Sequence, residues 1–81
     1  MRIAFSQKAL RNYQGLPKTL QKTADKQFSL LLRDISYPSL RAKKYDEARD
    51  VWQARVSEKY RFYFQIRGDV YYILSIIMHP K

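Results

Sequence analysis

VWQARVSEKYRFYFQI, residues 51–66, decides the fold because it contains two strands and the turn that joins them. Apolar residues alternate with polar ones in both halves, which is the period of half-buried β-strands. Since a one-residue slip would turn every side chain to the wrong face, hydrophobic matching determines how the two strands pair. A three-residue loop gives the matched register, in which Val56 pairs with Tyr60, Ala54 with Phe62 and Trp52 with Phe64.

The same register places Arg55 directly opposite Arg61. Like charges that face each other across strands are destabilising, and neither strand carries an acidic residue on that face. The two side chains either splay apart into water or bind an anion, and the guanidinium fork is suited to phosphate oxygens. The pairing therefore favours a ligand that contains phosphate.

A strand and a short helix are predicted at the start of the chain. Residues 2–6, RIAFS, alternate in polarity as a strand does, and Ser6 can then cap a helix over residues 7–14. This helix is expected to bury Leu10 and Tyr13. The tripeptide GLP that follows ends this helix and begins the next, since Gly suits a helix end and Pro suits a first turn.

A longer second helix is predicted from an apolar stripe with spacings of three and four residues. It should end near Ser36, because Tyr37 precedes a proline and is pushed out of helical geometry. The stripe consists of Leu20, Ala24, Phe28, Leu31 and Ile35. The opposite face carries Lys18, Lys22, Lys26 and Arg33. These cations form either a solvated face or a surface that touches phosphate.

The remaining segments complete an α+β plan. Residues 38–50 have no clean period and are predicted to form an extended loop, whereas residues 51–56, 60–66 and 70–78 are predicted strands. The last of these is apolar on both faces, so it should lie centrally in the sheet. The order βααβββ predicts two helices packed on one face of a mostly antiparallel, four-stranded sheet, with residues 1–81 as a single domain.

The chain is strongly basic. Sixteen Lys and Arg against seven Asp and Glu give a formal net charge of +9. Such a charge raises the local concentration of any polyanion. Three explanations are open: a nucleic acid or ribosome, an acidic protein partner, or a charge that serves solubility.

Composition also indicates the compartment. The sequence has no cysteine, which suits a reducing environment. It shows no basic-then-apolar leader, and its longest apolar run, residues 70–78, is too short to cross a bilayer. A cytoplasmic protein without a membrane partner is predicted.

The chain's one histidine is a candidate for proton transfer. Cleavage of RNA needs a base for the 2′-hydroxyl, an acid for the leaving oxygen and cations for the developing phosphorane charge, and histidine transfers protons near neutral pH. Whether His79 joins the arginine face depends on the turn before the last strand. A three-residue Arg67–Asp69 loop would place it there, whereas a two-residue Gly68–Asp69 turn would place it on the other side. The cations can come from Arg55, Arg61, Lys43 and Lys44.

Neither a cofactor nor a metal is predicted. With no cysteine and one histidine, a metal site would need carboxylates alone. The acidic residues Asp46, Glu47 and Asp50 are expected to lie in a solvated loop and to pair with local Lys and Arg. No P-loop or other glycine-rich phosphate cradle is present, since the chain has only two glycines.

Several segments together resemble the RelE/ParE superfamily of bacterial toxins from type II toxin–antitoxin modules, nearer its RelE-type branch. They are the βααβββ order, YPSLRAKK (residues 37–44), the 51–66 hairpin and GDVYYILSIIMHPK (residues 68–81). RelE-type members cut messenger RNA in the ribosomal A site, and ParE-type members poison DNA gyrase. The resemblance implies a toxin that acts as an mRNA endoribonuclease and so blocks translation, with a cognate antitoxin, mRNA and the ribosome as partners and no small-molecule cofactor.

The resemblance also implies site residues. Arg61 matches the arginine that contacts the scissile phosphate, Arg55 a basic residue on the preceding strand, and His79 the position at the end of the last strand. These three are the expected catalytic residues. The expected RNA-binding residues are Arg41, Lys43, Lys44, Tyr63 and Lys81.

The sequence departs from the family pattern at two places. Several RelE-type enzymes place a further tyrosine in a C-terminal extension, and here that role is vacant or passes to His79 or Tyr63. Gln53 stands where some members carry a lysine. Two alternatives to the ribonuclease remain, a ParE-like gyrase inhibitor and a non-catalytic protein that binds RNA or the ribosome.

Overall fold

The computed structural model describes residues 1–79. Its elements, in chain order, are β1 (Arg2–Phe5), α1 (Gln7–Gln14), α2 (Lys18–Arg33), a 3-10 turn (Pro38–Leu40), β2 (Lys43–Asp46), β3 (Val51–Arg55), β4 (Tyr60–Arg67) and β5 (Val70–Met78). The predicted α+β class is therefore confirmed, with two helices. No helix among the described residues is long and apolar enough to cross a membrane.

The sheet has five strands in the order β1-β5-β4-β3-β2, so the prediction of four strands was wrong. The missed strand is β2, within the segment predicted to be a loop. It has only four residues at the sheet edge and is interrupted by an irregularity at Tyr45, so it shows no clear apolar alternation. The sheet is mixed, because β1 runs parallel to β5 while the other three pairings are antiparallel. The last strand lies inside the sheet, as predicted.

The hairpin of β3 and β4 has the predicted register. Trp52 pairs with Phe64, Ala54 with Phe62, and Arg55 with Arg61. Two backbone hydrogen bonds to the carbonyl of Tyr60, from the N–H groups of Val56 and Ser57, close the loop.

A tight turn and a β-bulge together decide which way β5 faces. Arg67 pairs with Val70 across a two-residue turn, in which Gly68 has φ +59°, a value that favours glycine. This turn alone would have sent His79 to the helix side of the sheet. Leu74 is an extra residue, since Phe64 pairs with Ile73 but Tyr63 pairs with Ser75. Because a bulge shifts the alternation by one residue, the end of β5 returns to the arginine face.

Side chains around α1 satisfy the backbone of β5 at this bulge. The hydroxyl of Ser6 donates to the carbonyl of Leu74 at 2.8 Å and accepts from the N–H of Ala9 at 3.0 Å, which also caps α1 as predicted. The side-chain oxygen of Asn12 accepts from the N–H of Ile76 at 3.0 Å. Without these partners, β5 would carry unpaired backbone groups beyond the point where β1 ends.

The expected burial on α1 was partly wrong. Leu10 is 47% exposed, whereas Ala9 is fully buried and Tyr13 is half-buried. The small side chain of Ala9 faces the core, and Leu10, about 100° further round the helix, points to solvent.

The second helix buries the middle of the predicted stripe but ends earlier than predicted, so that Ile35 lies outside it. Ala24, Phe28 and Leu31 are buried. The helix ends at Arg33 rather than near Ser36, because the carboxylate of Asp34 accepts hydrogen bonds from the backbone and hydroxyl of Ser36 at 2.9 and 2.6 Å. These bonds also lower the pKa of Asp34. The core forms where this helix meets the sheet, with the rings of Phe28 and Phe62 in edge contact at 5.0 Å.

Candidate nucleic-acid interface

A cleft of about 180 Å³ lies on the sheet face that points away from the helices. We call it the arginine cleft. Its lining residues are Arg41, Lys43, Gln53, Ala54, Arg55, Arg61 and His79. It gathers side chains from the segment before β2, from three strands and from the residue after β5. All three expected catalytic residues and two of the five expected RNA-binding residues therefore lie together.

Hydrogen bonds hold the side chain of Arg61 in place. Its Nη1 donates to the carbonyls of Ser57 at 2.6 Å, Tyr60 at 3.0 Å and Glu58 at 3.1 Å. The other guanidinium nitrogens bond to no group among the described residues. One nitrogen thus fixes the group while further donors remain for a ligand.

No carboxylate neutralises the two opposed arginines within residues 1–79. The ion pairs in this part of the chain involve Lys44 with Glu47, Lys44 with Asp50, and Arg49 with Asp46. These pairs confirm that the acidic loop residues bind local cations. None of them involves Arg55 or Arg61. These two cross-strand neighbours therefore carry like charges that no carboxylate of the described residues offsets.

His79 is half-buried beside these arginines. Its backbone N–H donates to the carbonyl of Lys59 at 2.6 Å, which joins the end of β5 to the β3–β4 loop. The Nδ1 atom of its imidazole is buried and has no hydrogen-bond partner among the described residues. Buried polar atoms are normally paired, so this imidazole is an exception among the side chains that the structure describes.

Gln27 supports the cleft from behind, and the sequence pattern did not single it out. It is buried on α2. Its side-chain nitrogen donates to the carbonyls of Arg55 at 2.7 Å and Ser39 at 3.2 Å. The amide therefore ties the end of β3 to the turn that leads into Arg41. A buried glutamine within an apolar helical stripe is the signal that could have identified it.

Two of the expected RNA-binding residues, Lys44 and Tyr63, do not line the cleft. Lys44 pairs with Trp52 on the opposite face, where its Nζ lies 2.6 Å from Asp50 and 5.0 Å from the centre of the Trp52 ring. The hydrogen bond to Asp50 raises the pKa of Lys44. Tyr63 is only 9% exposed. Lys81 lies outside the described residues.

A second pocket, of about 250 Å³, lies beside the arginine cleft. We call it the Tyr45 pocket. It is lined by Tyr45, Asp46, Arg49, Val51, Tyr63, Leu74, Ser75 and Ile77. The sequence did not predict this pocket, although the alternation of Lys43 and Tyr45 would have placed both on one face had β2 been identified as a strand.

Metal ligands are not clustered in the described part of the chain. Among residues 1–79, no group of three or more His, Asp and Glu side chains lies close enough to hold an ion. The arginine cleft instead concentrates hydrogen-bond donors and positive charge, which is the chemistry that recognises phosphate.

Solved structures share this architecture over nearly the whole chain. A YoeB/ParE toxin from Agrobacterium tumefaciens superimposes with a TM-score of 0.83 at 12% identity, covering 99% of this chain and 100% of that one. YoeB from Staphylococcus aureus, solved as a dimer, gives 0.82 at 18% identity and covers 99% and 98%. The chain has the fold of the RelE and YoeB toxins.

The same fold is found in a structure of such a toxin bound to its antitoxin. The intact RelBE toxin–antitoxin complex of E. coli gives a TM-score of 0.73 at 17% identity, covering 98% of this chain and 96% of that one. The fold that the resemblance to the RelE/ParE superfamily implied is therefore confirmed. No protein-family model matches the sequence, and no curated protein is significantly similar to it.

Proposed function

We propose that this chain is the toxin of a toxin–antitoxin module and acts as an endoribonuclease on messenger RNA in the ribosome. One observation carries the proposal: the opposed pair Arg55 and Arg61 lies in a cleft with His79 and has no carboxylate partner among the described residues. Two positive charges at this spacing repel each other, and a bound polyanion neutralises both of them. The RelE/YoeB fold supports the same class of activity.

The cleft can supply the groups that RNA cleavage requires. Attack of a 2′-hydroxyl on the adjacent phosphorus breaks the bond to the 5′-oxygen of the next nucleotide and leaves a cyclic phosphate. Negative charge develops on the phosphorane oxygens, where Arg61 and Arg55 would donate hydrogen bonds. His79 would transfer a proton at the attacking or leaving oxygen. Lys43 and Arg41 would bind neighbouring phosphates.

The same basic face suits an antitoxin. Several structures with this fold are complexes of a toxin with its antitoxin, RelB or YefM. An acidic or amphipathic segment that covers the arginine cleft would be attracted by the net charge of +9 and would block access to RNA. Inhibition would then follow directly from competition for the same cations.

Induction of the chain in bacteria tests the proposal. We expect new RNA 5′ ends within translated messages and arrest of growth. Both should be lost in the Arg55→Ala/Arg61→Ala double variant and kept in Arg67→Ala, which removes an exposed arginine outside the cleft. DNA breaks in place of new RNA ends would indicate gyrase as the target and overturn the ribonuclease.

A further inference from the structure

We propose that the Tyr45 pocket binds one unpaired RNA base, that of a nucleotide whose phosphate lies in the arginine cleft. This inference rests on the proposed function, since it assumes that RNA is the ligand. It adds a stacking site to the hydrogen-bond donors and positive charge of the arginine cleft.

Tyr45 has the exposure of a stacking platform. It is 61% exposed on β2. Its ring contacts that of Tyr63 at 4.9 Å with an interplanar angle of 66°, so the contact is by an edge rather than by stacked faces. Tyr63 is itself held by a hydrogen bond from Gln53 to its hydroxyl at 2.9 Å. Tyr45 therefore packs against a fixed neighbour while most of its surface is exposed to solvent. Exposed aromatic rings of this kind stack on bases of any type.

The pocket and the cleft adjoin each other on one sheet face. Arg61 lines the cleft and Tyr63, two residues further along β4, lines the pocket. Residues two apart on a strand are separated by roughly 7 Å. The Gln53–Tyr63 hydrogen bond lies between the two sites. A nucleotide whose phosphate is held by Arg61 can therefore reach the Tyr45 ring with its base.

The dimensions and lining of the pocket suit a single base. Its volume of about 250 Å³ is smaller than the roughly 300–1,000 Å³ of pockets for drug-sized ligands. Apolar side chains meet polar groups of Ser75, Asp46 and Arg49 there. Both donors and acceptors are thus available for the edge of a base.

The acidic residue of the pocket does not repel RNA on balance, because its charge is offset. Asp46 accepts from the backbone N–H of Arg49 at 3.2 Å and lies 3.7 Å from the Nε atom of the same residue. Gln65 donates to the carbonyl of Arg49 at 2.8 Å. These bonds secure the loop that forms one wall, so the pocket exists before a ligand arrives.

NMR titration with an RNA trinucleotide tests the inference. The nucleotides carry 2′-O-methyl groups, which prevent cleavage, and each base is replaced in turn by an abasic site. We expect the ring resonances of Tyr45 to move upfield as a base stacks on it. Tyr45→Ala, or removal of one particular base, should weaken binding by roughly 5- to 150-fold. Tyr45→Phe should bind as the wild type does, and so should Tyr37→Ala, a control at an exposed tyrosine outside the pocket.

The outcome is separable from that of the proposed function. Unmoved Tyr45 resonances at millimolar trinucleotide, or wild-type affinity in Tyr45→Ala, overturn the pocket. If RNA cleavage in cells requires Arg61 and is indifferent to Tyr45→Ala, only the pocket fails. If induction gives DNA breaks while the trinucleotide still stacks on Tyr45, only the proposed activity fails.

Discussion

Arg61 is held by one of its nitrogens and retains other donors for a ligand. Its Nη1 bonds to three carbonyls of the β3–β4 loop and adjoining strand. A donor that is already oriented needs no reorganisation when charge develops in a transition state. The guanidinium fork also gives more than one hydrogen bond to a phosphate, which an ammonium group does not match in geometry.

Arg61→Ala is therefore expected to reduce the rate of RNA cleavage by at least about 10²–10³-fold and to abolish growth arrest. Arg61→Lys should recover only part of the rate, because it keeps the charge without the fork. Cleavage assays on translating ribosomes measure the effect, and circular dichroism checks the fold. Arg67→Ala is the matched control, since Arg67 stacks on Tyr72 at 4.3 Å and lies outside the cleft. Unchanged toxicity of Arg61→Ala would remove this residue from the site.

His79→Ala tests proton transfer separately from charge. General acid–base catalysis typically contributes about 10²–10⁴-fold, so a loss of that size is expected in the rate of cleavage. Affinity for an uncleaved RNA should change little, because the arginines remain. Cleavage at the normal rate would mean that the imidazole takes no part in the reaction.

At the scale of elements, side chains in and next to α1 stabilise the β5 bulge that places His79 in the arginine cleft. The two-residue turn alone would place His79 on the helix side of the sheet. The bulge shifts the alternation by one residue and so places His79 on the arginine face. Asn12 and Ser6 satisfy backbone groups of the bulged strand. A helix on one side of the sheet thus helps determine which side chains appear on the other.

Asn12→Ala is expected to lower the free energy of unfolding by about 1–3 kcal/mol, since it leaves the N–H of Ile76 without its acceptor. Denaturant titration measures this change. RNA cleavage should fall as well, because the end of β5 loses a support. Gln14→Ala is the control, as Gln14 is an exposed residue at the end of the same helix. Equal stability of the two variants would show that Asn12 does not support the bulge.

The elements also show what the sequence can and cannot predict. The β3–β4 register was predictable because three apolar pairs had to share one face, and the position of Arg55 opposite Arg61 followed from it. The face of the sheet on which His79 lies was not predictable. The tight turn and the bulge have opposite effects on the alternation of β5, and nothing in the local sequence marks the bulge. Strand β2 and its Tyr45 were missed because an edge strand of four residues carries too little pattern.

At the scale of the whole molecule, positive charge covers more than one surface. The arginine cleft lies on the open face of the sheet, whereas a row of cations lies along the exposed side of α2 on the helix side. The row consists of Lys18, Lys22, Lys26 and Arg33. Both interpretations of this row, a solvated face and a surface that touches phosphate, stay predictions. The net positive charge of the protein would help either surface to attract RNA.

The salt dependence of RNA binding measures how many of these cations meet phosphate. Binding of single-stranded RNA releases counterions, so the logarithm of affinity falls with the logarithm of salt concentration by about 0.7 for each phosphate neutralised. A protein held to RNA by several cations should therefore show a steep slope. A flat dependence would argue against nucleic acid as the ligand.

The central claim is that Arg55 and Arg61 tolerate each other because phosphate neutralises both. The most direct measurement is the salt slope of binding to an uncleavable RNA, for the wild type, each single alanine variant and the double variant. The claim predicts that the slope decreases by about 0.7 for each arginine removed and is unchanged in Arg67→Ala. Identical slopes in the wild type and the double variant would contradict it.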